Sequence, residues 1–222
     1  MVKLLSIADC VSLTNAFFGF LSLIMVFIGE IRLAFSFILL AILADGLDGI
    51  IARKTRESKI GEYLESMADM TSLGIAPAFF IFTAYYKSVS CCINKNIVLL
   101  FVLALFLLLS IIRLASFHIM KEKKFFIGLP ASSSTIIIII LAYFEIDLYI
   151  LLLIIIIISF LMISQIHFPK PDNKINAIAG ILIFLTLIMD KYYNGIAPLL
   201  LITAICIYVI FGPFYLLINK KK

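Results

Sequence analysis

Apolar runs of about 20 residues recur along the whole chain, and they leave few folds open to it. Each is long enough to cross the hydrocarbon core of a bilayer as a helix. In lipid, every backbone N–H and C=O must be satisfied inside the structure, so a series of such runs folds as a helical bundle. Composition agrees: 64% of residues are hydrophobic and 14% charged, against roughly 25% charged in a soluble domain. The expected fold is all-α, a polytopic integral membrane bundle of about eight transmembrane helices. The spans are read at residues 11–29, 32–52, 62–85, 96–119, 128–144, 147–166, 174–190 and 196–218. Short connections leave no room for a separate soluble domain, so residues 1–222 are read as one membrane domain. Only Lys3 precedes the first run and no small-residue cleavage site follows it, which reads as a retained helix.

Charge sets the orientation. With the N-terminus placed in the cytoplasm, thirteen of the 18 Lys and Arg residues fall on the cytoplasmic side. Arg32, Lys87, Lys95 and Lys191 fall outside, and Arg113 lies within a span. The positive-inside bias therefore puts both termini in the cytoplasm. The net charge of +5 is accounted for by topology and by contact with anionic headgroups. No nucleic-acid partner is expected. Cys10 and Cys206 are isolated and Cys91–Cys92 are vicinal, with no Cys/His spacing that suggests zinc. The Ile-rich residues 136–140 and 154–158 read as interchangeable, lipid-facing hydrocarbon.

Four carboxylates interrupt this apolar pattern. Ionisable groups at membrane depth are costly and are retained mostly for function. Asp45 and Asp48 stand at i and i+3 near the end of the second span, on one helix face. Gly49 and Ala52 adjoin them, and Arg53 caps the span. In the third span Gly61, Glu65 and Asp69 form one stripe at i, i+4 and i+8. The short basic turn 54–60 folds the two spans antiparallel, so the stripes can face each other at the cytoplasmic surface. Hard oxygen ligands in this number suit Mg²⁺, Mn²⁺ or Ca²⁺ rather than zinc or copper. Two such ions would clamp a diphosphate for in-line displacement at phosphorus. A buried polar network or a cation-transport site is the alternative.

The pattern resembles the signature of the CDP-alcohol phosphotransferases, Asp-x-x-Asp-Gly-x-x-Ala-Arg followed by Gly-x-x-x-Asp-x-x-x-Asp. It matches at Asp45, Asp48, Gly49, Ala52, Arg53, Gly61 and Asp69. Glu65 replaces the third aspartate of the signature, and the spacer from Arg53 to Gly61 is one residue shorter than usual. The resemblance implies that Asp45, Asp48, Glu65 and Asp69 bind two divalent ions, Mg²⁺ or Mn²⁺, and that Asp69 is the general base. It implies that Gly49, Ala52, Arg53 and Gly61 shape the CDP pocket, joined by Asn15 of the first span. It further implies transfer of a phosphatidyl-type group from a CDP-linked lipid to an alcohol, with release of CMP, at the cytosolic face of the cell membrane. Family members commonly dimerise, though the sequence supplies no interface.

Further segments resemble the phosphatidylserine synthase branch. They are residues 66–78, with Leu73 in place of a phenylalanine, Arg113-Leu114-Ala115-Ser116-Phe117-His118, Phe126-Ile127-Gly128-Leu129-Pro130 without the usual second proline after it, Leu161-Met162-Ile163-Ser164 followed by Phe168-Pro169, and Thr14-Asn15 with Gly19. The resemblance covers residues 6–174, which suggests a core at 1–170 and two additional C-terminal spans at 171–222. It implies L-serine as acceptor and CDP-diacylglycerol or CDP-archaeol as donor. Arg113, with its planar bidentate fork, suits a serine carboxylate or a phosphate; pairing with one of the acids is the alternative. Lys121, Lys123 and Lys124 read as a solvated face, and His118 as an interfacial residue. Ser132, Ser133 and Ser134 suit capping and packing as well as a polar pocket. Glycerol-3-phosphate as acceptor, or divalent-cation transport by the same acids, stay open as alternatives.

Overall fold

The structure, a computed structural model, describes residues 5–52, 58, 60–89, 93–117, 125–189 and 195–219. Among these residues the chain forms eight helical rods. They are α1 (Ile7–Phe27), α2 (Ile31–Ala52), a broken rod, α5 (Ile93–Phe117), α6 (Ala131–Tyr143), α7 (Leu148–Met162), α8 (Asn173–Met189) and α9 (Ile196–Asn219). The broken rod runs as α3 (Gly61–Asp69), a π turn (Met70–Ile75) and α4 (Ala76–Val89). The bundle is that of an all-α membrane protein. Among the described residues, four stretches are long and apolar enough to span a bilayer: Ile7–Phe27, Gly61–Tyr86, Ile93–Ser116 and Ile196–Leu216. Three further apolar helices, Ala131–Tyr143, Leu148–Met162 and Ile175–Met189, are shorter.

α1 shows why a membrane bundle reads inside out. Its buried residues are Asp9, Ser12, Asn15, Gly19, Ser22 and Val26, while Leu13, Phe17, Phe20 and Phe27 face outward. Small and polar side chains at a spacing of three to four let α1 approach its neighbours closely and bond across to them. Ser22 donates to the Ala34 carbonyl at 3.0 Å, which binds α1 to the beginning of α2. At Gly19 a β carbon would lie 2.8 Å from the Ser72 Cα. Only glycine admits that contact between α1 and the π turn. The helix starts in a capping box in which the Ser6 hydroxyl and the Asp9 carboxylate each take the other's backbone N–H.

The isoleucines of α6 are placed otherwise than expected. Residues 136–140 are all 6% exposed or less and form the centre of the core. α6 is the short inner rod, with α2, α4, α5, α7 and α9 packed around it. Protein interior and lipid are equally apolar, so an isoleucine run suits either. α7 divides along its length: Ile155 and Ile158 are buried, and Ile157 faces outward.

A two-stranded antiparallel ribbon, absent from the sequence reading, completes the fold. β1 (Phe125–Ile127) pairs with β2 (His167–Pro169), Phe126 opposite Phe168. α6 spans 13 residues, about 20 Å at 1.5 Å per residue and short of a ~30 Å hydrocarbon core. β1 and the turn after it lead directly into its N-terminal end. Backbone there stays satisfied, since Gly128 N–H reaches the Ile166 carbonyl at 2.8 Å and Leu129 N–H the Leu161 carbonyl at 3.0 Å. α9 closes on the ribbon: Tyr208 donates to the Pro169 carbonyl at 3.0 Å, and a β carbon at Gly212 would lie 2.9 Å from Pro169.

Candidate active site

The last turns of α2 and the first turns of α3 bring the acids together. Asp45, Asp48 and Glu65 each offer a carboxylate oxygen, all within 4.8 Å of one another. Asp48 is buried; Asp45 and Glu65 are half-buried. Asp69, one turn further along α3 and 8% exposed, lies within hydrogen-bonding reach of Asp45 and close enough to feel all three other charges. The four acids of the sequence pattern thus form one cluster.

α1 supplies the groups that orient them. The Ser12 hydroxyl donates to Asp48 Oδ2 at 2.8 Å. The Asn15 side-chain Nδ2 donates to Asp69 Oδ1 at 2.8 Å. Both bonds are buried and join residues 36 and 54 positions apart. Because Asn15 Nδ2 faces a carboxylate, its amide orientation is settled: the donor must point at the acceptor. Among the described residues its Oδ1 has no hydrogen-bond donor, on a residue that is 0% exposed.

That arrangement suits a bound cation. Two like charges 4 Å apart repel by about 4 kcal/mol at an effective dielectric near 20. The donor set also fits a hard divalent ion, being made of carboxylate oxygens with an orphaned amide oxygen beside them. Asp45, Asp48 and Glu65 thus form a carboxylate group that could hold a metal ion, with Asp69 beside them.

The other expected residues fall in two groups. Gly61 starts α3 pressed against α1: a β carbon would come within 3.0 Å of Asp9 Oδ1 and 3.2 Å of Ser58 Oγ. The backbone of Gly49 and Ala52 lies in the last turn of α2. Arg53, His118, Lys121, Lys123 and Lys124 lie outside the described residues, as do Cys91 and Cys92. Arg113, 6% exposed, sends Nε to the Leu129 carbonyl at 3.4 Å. The Tyr208 phenol lies within electrostatic range of its guanidinium. Ser134 donates to the Pro130 carbonyl at 3.0 Å in the first turn of α6.

Ser12, which carries no motif of its own in the sequence, belongs here through its bond to Asp48, and Asp9 lies against Gly61 at the start of α3. Their signal is the spacing Asp9, Ser12, Asn15, Gly19, Ser22, a polar stripe along an otherwise apolar helix.

Comparison with known proteins agrees with this geometry. A family model described as CDP-alcohol phosphatidyltransferase matches residues 5–212. The CDP-diacylglycerol--serine O-phosphatidyltransferase of Methanocaldococcus jannaschii is 32% identical over 78% of this chain and 78% of its own length. The archaetidylserine synthase of Methanothermobacter thermautotrophicus is 34% identical over 78% of this chain and 73% of its own. The CDP-diacylglycerol--serine O-phosphatidyltransferase of Saccharomyces cerevisiae is 31% identical over 59% of this chain and 51% of its own. A match across nearly the full chain, with acids from two helices meeting on a polar stripe from a third, places the protein: it belongs to the CDP-alcohol phosphatidyltransferase family, on the branch that holds the phosphatidylserine and archaetidylserine synthases.

Proposed function

We propose that this chain transfers the phosphatidyl-type group of CDP-diacylglycerol or CDP-archaeol to the hydroxyl of L-serine and releases CMP. The observation that carries the reading is the convergence of Asp45, Asp48 and Glu65 with Asp69 held beside them by Asn15. The names of the relatives supply the acceptor. Balanced, the step is a displacement. The serine oxygen bonds to the lipid-bearing phosphorus, the bond from that phosphorus to the bridging oxygen breaks, and CMP leaves with the electron pair. Asp69 takes the hydroxyl proton, and its bond from Asn15 fixes the carboxylate for that task. Asp45, Asp48, Glu65 and Asp69 would hold two divalent ions, which when bound would neutralise the diphosphate and the departing CMP. Asn15, Gly49, Ala52, Arg53 and Gly61 border the CDP moiety. Arg113 takes the serine carboxylate, for which a guanidinium offers a planar pair of donors.

The distribution of basic residues supports eight crossings, with both termini and the acidic cluster on the cytosolic side of the cell membrane. Purified protein in detergent is expected to release CMP from the CDP-lipid only when both L-serine and Mg²⁺ or Mn²⁺ are present. Release with glycerol-3-phosphate in place of serine would overturn the acceptor and keep the reaction class. No release with any acceptor or either donor would overturn both.

Ser12 gives a second, smaller effect. Ser12→Ala removes the α1 hydroxyl that donates to Asp48. Partners that orient metal ligands typically contribute ~10–100-fold in affinity. The Mn²⁺ concentration for half-maximal CMP release is expected to rise about tenfold at little change in maximal rate. An unchanged Mn²⁺ requirement would remove Ser12 from the site.

A further inference from the structure

Thr135 stands on α6, a helix that carries none of the acids, yet it bonds to the backbone of the rod that carries two of them. In an unbroken α-helix the Leu73 carbonyl would accept from the N–H of residue 77. Residue 77 is proline, which has no N–H and whose ring crowds the carbonyl four residues before it. The rod answers with the π turn, in which the Ala76 N–H reaches back five residues to the Thr71 carbonyl. The Thr135 hydroxyl then donates to the Leu73 carbonyl at 2.9 Å, a bond buried on both sides and spanning 62 positions of sequence. Gly19 of α1 closes on the adjacent Ser72. Asp69 is the residue immediately before this turn.

A π turn inserts one residue, and each residue of a helix turns the chain by about 100°. The junction therefore decides how α3, with Glu65 and Asp69, is rotated relative to α4, which is fixed in the core. Were the turn to relax to α, the two carboxylates would swing away from Asp45 and Asp48. We propose that Thr135 is a positioning residue for the acidic cluster: its hydroxyl, together with Pro77, holds the π register that sets Glu65 and Asp69 against Asp45 and Asp48. This rests on the reading of those carboxylates as the divalent-ion site.

The test is Mn²⁺ binding to the detergent-solubilised protein, followed by the electron paramagnetic resonance of free Mn²⁺, with thermal unfolding alongside. Thr135→Val keeps the shape and deletes the O–H; it is expected to weaken Mn²⁺ binding about tenfold, the lower end for a residue acting behind metal ligands. Thr135→Ser keeps the hydroxyl and is expected to bind within about twofold of the parent, well inside that range. Pro77→Ala restores the missing N–H and gives Leu73 a donor within its own helix. It is expected to weaken Mn²⁺ binding without lowering the unfolding temperature, which a packing defect would not do. Unaltered binding in Pro77→Ala overturns the proposal even if Thr135→Val fails to fold. So does equal weakening in Thr135→Val and Thr135→Ser, or a lowered unfolding temperature with an unchanged binding curve. If the parent protein binds no Mn²⁺, the divalent-ion reading itself fails, and that result is distinct from the others.

Discussion

Replacing Asp69 with asparagine is expected to lower serine-dependent CMP release by about a thousandfold, within the ~10²–10⁴ that a positioned general base supplies. The substitution keeps the size of the side chain and most of its bonding. Its amide oxygen can still accept from Asn15 Nδ2, which donates to Asp69 at 2.8 Å. Its NH₂ can still face Asp45, which lies within bonding reach. What it cannot do is accept a proton from the attacking hydroxyl. Donor binding, measured as the rise in unfolding temperature on adding CDP-lipid, should persist in Asp69→Asn while initial rates collapse. If the variant keeps a tenth or more of the parent rate, Asp69 is not the base and another carboxylate of the cluster must be.

The second large effect is on stability, at Gly128. This residue sits at φ +76°, and an added β carbon would fall 2.2 Å from the Met162 carbonyl oxygen. No rotamer relieves that clash, because the obstacle is backbone. The left-handed conformation costs a side chain about 1–2 kcal/mol, and forced overpacking about 1–3 kcal/mol more. Gly128→Ala is thus expected to lose about 3 kcal/mol, or roughly 10 °C in unfolding temperature for a chain of this size. Gly29 provides the control: its φ is +86° but a β carbon there meets nothing within 4 Å. Gly29→Ala should lose only the backbone part, about 1 kcal/mol. Equal losses at the two positions would mean that the ribbon yields, and that the contact with Met162 is not a constraint. Since the neighbouring Leu129 carbonyl receives Arg113 Nε, Gly128→Ala should also raise KM for serine more than KM for the CDP-lipid.

What was legible in the sequence follows the strength of the physical signal. Apolar runs of membrane length mark helices to within a few residues, so α1, α2, α5, α7 and α9 lie close to where the pattern puts them. Acids in an apolar span are conspicuous, and helical spacing brings Asp45 to Asp48 and Glu65 to Asp69 without any tertiary knowledge. The ribbon went unread because three-residue strands such as Phe125–Ile127 carry too little alternation to register between long apolar runs. The isoleucines of α6 were misplaced because hydrophobicity separates water from oil, not protein interior from lipid. Asp9 and Ser12 were readable in principle, as members of the polar stripe that also contains Asn15. The π turn was half legible: Pro77 announces a disturbed helix, but only the fold shows that Thr135 answers it.

The ribbon has a consequence for how the molecule is made. Its first strand, at 125–127, has no partner until 167–169 has been synthesised, and α9 then docks on Pro169 from still later in the chain. The acid-bearing helices, by contrast, are complete by residue 89. Synthesis from the N-terminus therefore produces the carboxylates early and the scaffold around Arg113 last. Thr135, arriving between them, is the point at which the first half can take up its final register. A ribosome that stalls after α5 would leave in the membrane a chain with all four acids of the cluster present and neither the ribbon nor the α6 contact behind them.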